Sequence, residues 1–104
     1  MKSLIDLLHE PNQEFTVNIF DANNRPFSLD IKLRTINNQT YMDLFINGSV
    51  EFLGKRCCNN IPLVANNKLN GNLYFKDLFG NDNPKYTEFN DRFALLYDTE
   101  IFWI

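Results

Sequence analysis

From Glu14 to Leu53 apolar residues return at every second position, and short turn signals interrupt them three times. Phe15, Val17 and Ile19 alternate with Glu14, Thr16 and Asn18, and Phe27, Leu29, Ile31 and Leu33 alternate with Ser28, Asp30, Lys32 and Arg34. Period two puts each set on one face of a strand. Asp21-Ala-Asn-Asn24 and Asn37-Asn38 supply turn chemistry, and Asn47-Gly48 separates Tyr41–Ile46 from Val50–Leu53. Asn-Gly between apolar strands is a strong hairpin signal, because a type I′ turn needs positive φ at both central residues. None of these turns is long enough for a helical crossover, so residues 14–53 are expected to form an antiparallel meander of three to four strands.

Outside the meander the pattern is less regular. Ser3–His9 reads as a short helix or an irregular arm, with Ser3 as a cap, Leu4, Ile5, Leu7 and Leu8 on an apolar side, and Pro11 as its stop. Ile61-Pro-Leu-Val64 is expected as an edge strand or extended anchor, since Pro62 cannot donate to a ladder. Leu73–Leu78 and Arg92–Tyr97 read as two further strands joined by the loop 80–90. The chain ends Ile101-Phe-Trp-Ile104, wholly apolar, which predicts either a closing strand or a surface for a partner. The fold expected is all-β and mainly antiparallel, a small barrel or sandwich of five to seven strands. We expect one domain over 1–104, divided into an arm or short helix (1–13), the meander (14–53) and the region 61–104.

Composition narrows the function. The net charge is −3 and the pI near 5.0, whereas a duplex-binding domain needs a basic face, so nucleic acid is not the expected partner. Cys57 and Cys58 are adjacent, with no other cysteine and His9 as the single histidine. They support neither an ordinary disulfide nor a zinc site, and one is expected buried with the other outward. No leader-like apolar run opens the chain and no segment approaches the length of a membrane-spanning helix, which predicts a soluble protein made in the cytosol. The sequons at Asn38 and Asn47 then read as turns.

The segment 71–89 gathers aromatics and acids and invites a search for chemistry. Asp77, Asp82 and Asp91 lack the spacing of a calcium loop, because Leu78, Phe79 and Gly80 offer no side-chain oxygen. Cys57 or Cys58 has only His9 as a base, and no nucleophile elbow or phosphate-binding glycine loop occurs. The expectation is a protein without catalysis, cofactor or metal. Tyr74, Phe75, Phe79, Tyr86 and Phe89 could stack on sugars or bases, but alternation assigns most of these rings to a core.

Read in order, Ile61-Pro-Leu63, Gly71-Asn-Leu-Tyr-Phe75, Asp77-Leu-Phe-Gly80, the turn Asn81-Asp-Asn-Pro84 and Phe89-Asn-Asp-Arg-Phe-Ala-Leu-Leu-Tyr97 resemble the baseplate plug family of contractile-tailed bacteriophages. Family members commonly have a hydrophobic–glycine step where this chain has Phe89-Asn90, and asparagine also tolerates left-handed backbone. The resemblance implies a structural protein of the virion tail, made in the bacterial cytoplasm and present in several copies. It would fill a position near hub, tube or spike-complex subunits through protein contacts. Leu4, Leu7, Leu8, Phe79, Tyr86, Phe102 and Trp103 are the subunit contacts expected on that reading. The alternative is a small β-barrel module that binds glycan or single-stranded nucleic acid.

Overall fold

The computed structural model describes residues 2–101, Asn67 by its backbone alone. Seven strands build two antiparallel sheets: β1 (Lys2–Ile5), β2 (Gln13–Phe20), β3 (Pro26–Ile36), β4 (Gln39–Ile46), β5 (Ser49–Arg56), β6 (Asn72–Asp77) and β7 (Phe93–Asp98). One sheet runs β1-β7-β6 and the other β2-β3-β4-β5. Both are open, so the all-β expectation resolves to two open sheets rather than a closed barrel.

The meander forms in the expected order. Asn47 and Gly48 both take positive φ, 50° and 83°, in the two-residue loop between Ile46 and its partner Ser49. Asn37 and Asn38 do the same between Ile36 and Gln39. Asn24, Asn60, Asn66, Asn70 and Asn90 are also left-handed, so every described non-glycine residue with positive φ is an asparagine. The repeated asparagines are therefore the turn-formers of this chain.

The N-terminus departs from the helix alternative. Lys2–Ile5 is a strand, with Lys2 opposite Asp98 and Ile5 opposite Leu95, and residues 6–12 lead irregularly to β2. A helix of so few residues has little stability of its own. Pairing with β7 instead satisfies an otherwise open ladder and buries Ile5 and Leu7, 3% and 6% exposed.

Of the two readings of residues 61–64, the extended anchor is the one that forms, and it begins earlier, at Asn59. Asn60 and Leu63 donate their N–H groups to the carbonyls of Phe75 and Leu73, at 2.7 and 2.9 Å, so this segment covers the outer edge of β6. Asn72 continues the pairing with its side chain: Oδ1 accepts from Val64 N–H and Nδ2 donates to the Val64 carbonyl, both at 2.8 Å. The core joins Leu29, Ile31, Leu33, Met42 and Leu44 to Leu73, Phe75, Leu95 and Tyr97. Cys57 is buried and Cys58 half-buried, both as free thiols, and burial pushes the Cys57 thiol up to about 12. Phe102 and Trp103, on which part of the contact expectation rests, lie outside the described residues.

Candidate functional site

The β6–β7 loop is built around Asp77. Its buried carboxylate accepts Arg92 Nε at 2.9 Å and Arg92 Nη2 at 2.8 Å, and also the N–H groups of Phe79 and Asp82, both at 2.9 Å. The Arg92 hydrogen bonds, joined by those two backbone donors, hold the carboxyl well below the usual carboxylate range against the opposing effect of burial. Arg92 also reaches Asp82 at 3.1 Å and Glu88 at 3.7 Å. Two of the three acids that suggested a metal loop, Asp77 and Asp82, are partners of one arginine.

The aromatic platform does not assemble either. Tyr74, Phe75 and Phe89 are buried, with Phe75 and Phe89 stacked at 5.8 Å, and Tyr86 is half-buried against the core. Phe79 alone of the five stands out in solvent, 79% exposed.

One surface feature among the described residues is a groove of about 450 Å³ between the edges of β1 and β2. Leu4 and Leu8, 56% and 60% exposed, form one wall, and the half-buried Phe15 and Val17 contribute from the other sheet. Asp6 and Glu14 supply its charge, and no lysine or arginine lines it. A second concavity, of about 570 Å³, lies on the far side of the β2 edge between Glu14, Thr16, Asp30, Lys32 and Phe45.

Amide side chains fix the Leu4–Leu8 wall. Asn90 accepts from Leu7 N–H at 3.1 Å and donates to the Leu7 carbonyl. Gln13 accepts from Leu8 N–H at 3.0 Å and donates to the Leu8 carbonyl at 2.8 Å. One clamp ties the arm to the β6–β7 loop and the other ties it to β2. His9 adds a contact to the Phe89 carbonyl and faces Asp91 at 3.3 Å.

Ladder alternation shows which backbone groups border the groove. Ser28 accepts from Asn47 N–H at 2.8 Å and donates its own N–H to Asn47 Oδ1 at 2.9 Å, so its backbone faces β4. Its partner Asn18, and with it Thr16 and Glu14, therefore turn their N–H and C=O groups away from β3. By the same rule the Phe75 carbonyl faces Asn60, which aims Leu95 at Ile5 and leaves Leu4 pointing outward from β1. Among the described residues, two rows of strand groups without a ladder partner thus flank the apolar floor.

The sequence of residues 3–100 matches the family described as cyanophage baseplate Pam3 plug gp18. The chain belongs to this baseplate plug family. No curated protein matches it. The family match spans both sheets, from β1 through β7, and so covers the groove as well as the segment 71–97.

Of the contacts expected for a family member, Leu4 and Leu8 meet in the groove. Phe79 is exposed in the β6–β7 loop and Tyr86 is half-buried, both apart from the groove lining. Leu7, the remaining N-terminal residue of that set, is packed in the chain's own core. Glu14, Phe15, Thr16 and Val17 were readable only as an ordinary half-buried strand, because nothing local marks an edge.

Proposed function

We propose that this protein is a structural subunit of a bacteriophage tail baseplate, filling a position near the hub, tube or spike complex through protein contacts rather than catalysis. Membership of the baseplate plug family over residues 3–100 carries the reading. The surface supports it: Leu4, Leu8 and Phe79 leave large apolar groups in water, which is favourable to cover at about 1.5–3 kcal/mol for each fully buried side chain. Phe102 and Trp103 complete the proposed contact set together with Tyr86. The protein would reside in the virion, in several copies arranged by the symmetry of the tail.

Purified particles of a phage encoding the chain test this directly. Mass spectrometry of isolated tails should detect the protein, and a nonsense mutation in its gene should leave baseplates incomplete by electron microscopy. Normal, infectious tails without the protein would overturn the proposal.

A further inference from the structure

We propose that the β1–β2 groove receives an extended segment of a different baseplate subunit, added as a strand to β2, apolar on alternate residues and carrying lysine or arginine beside Asp6 and Glu14. This rests on the baseplate reading above and names the kind of partner that reading requires.

Apart from β1, which borders the same groove, the other sheet edges are blunted. β6 is covered by residues 59–64, and β5 carries two register shifts and the left-handed Gly54, which breaks a regular edge. β2 pairs with β3 without a shift over all eight residues and contains neither proline nor lysine, the usual edge protections. Among the described residues its other side has no strand partner. Its outward groups at Glu14, Thr16 and Asn18 are spaced for an incoming strand, and Gln13–Val17 offers roughly 17 Å of edge at about 3.4 Å per residue.

Charge selects the occupant. Asp6 and Glu14 make no ion pair among the described residues, and Lys32, opposite Glu14 in the ladder, points to the second concavity without bonding to it. A two-fold contact with a second copy would bring β2 against β2, and β2 carries Glu14 but no basic residue to meet it. The chain's own terminal Phe102-Trp-Ile104 carries no basic group. A basic, apolar strand from another subunit meets both the charge and the open backbone.

The test uses assembled particles. A photo-cross-linking residue, Thr16→p-benzoylphenylalanine, is expected to capture one extended, Lys- or Arg-bearing peptide of another tail protein, while the same residue at Leu53 on the opposite edge does not capture that peptide. Capture of a second copy, of residues 102–104 of the same chain, or of nothing in particles that contain the protein would overturn the proposal while leaving the baseplate reading standing. Absence of the protein from the particles would overturn both. Thr16→Pro removes an outward N–H outside the β2–β3 ladder and should lower incorporation about tenfold with the fold retained by circular dichroism. Glu14→Lys should lower it severalfold. Parental incorporation of both variants would also refute strand addition.

Discussion

Arg92 and Asp77 lie at opposite ends of the β6–β7 loop and meet through two hydrogen bonds, Nε to Oδ1 at 2.9 Å and Nη2 to Oδ2 at 2.8 Å. The pair closes the loop from inside, and the remaining lone pairs of Asp77 anchor the N–H groups of Phe79 and Asp82. The chemistry that makes this segment look like a ligand site is spent on holding its own shape.

A depressed Asp77 pKa fixes the sign of the acid response. The carboxyl is held below its ordinary value near 3.8, chiefly by Arg92, so its contribution is present above that value and is lost as the pH falls below it. Asp21 is depressed as well, first by the Arg25 N–H and then by the Asn70 side chain, and adds to the same window. Urea midpoints measured from pH 6 down to pH 2 should fall for the parent, and Asp77→Asn should be weaker at pH 6 with a flatter fall. An equally steep fall in the variant would contradict the assignment.

Gly71 opens the Gly-Asn-Leu step at φ +147°, where a Cβ would stand 2.5 Å from the Asp98 carbonyl oxygen and 2.8 Å from Thr99 Cα. Both neighbours are backbone and cannot swing aside. Gly71→Ala should cost at least about 2 kcal/mol and lower Tm by about 10 °C or more. Thermal melting with an unchanged Tm would refute the close approach.

The next residue makes an independent prediction. Asn72→Leu keeps the branched outline of the side chain but strands the buried Val64 N–H and C=O, at a cost of roughly 2–4 kcal/mol. Amide exchange at Val64 should quicken ahead of exchange in β3. Unchanged protection would mean that Val64 has another partner.

The two thiols should separate cleanly. Cys57 is buried and raised to about 12, whereas Cys58 is half-buried, so one equivalent of a thiol reagent should react with the folded protein at pH 8 and two after unfolding. Rapid labelling of both in the native state would contradict the placement of Cys57.

What was legible in the sequence follows from how local each cause is. Alternation in β2 and β3 and the turn Asn47-Gly48 need no distant partner, so the meander could be read directly. Leu4, Ile5, Leu7 and Leu8 fit a helical stripe as well as a strand with an irregular tail. Pairing with Leu95 and the Asn90 clamp, over eighty residues away, decides between them. The bulges of β5 and the backbone duties of Gln13 and Asn72 likewise depend on long-range neighbours. The groove was invisible for the same reason, since its walls belong to different sheets.

The most direct measurement is a density map of the intact baseplate at a resolution that traces strands. The account predicts this two-sheet protein seated among the hub, tube or spike subunits, with its β1–β2 side covered by a neighbouring chain. A complete baseplate in which no density fits this fold would contradict it.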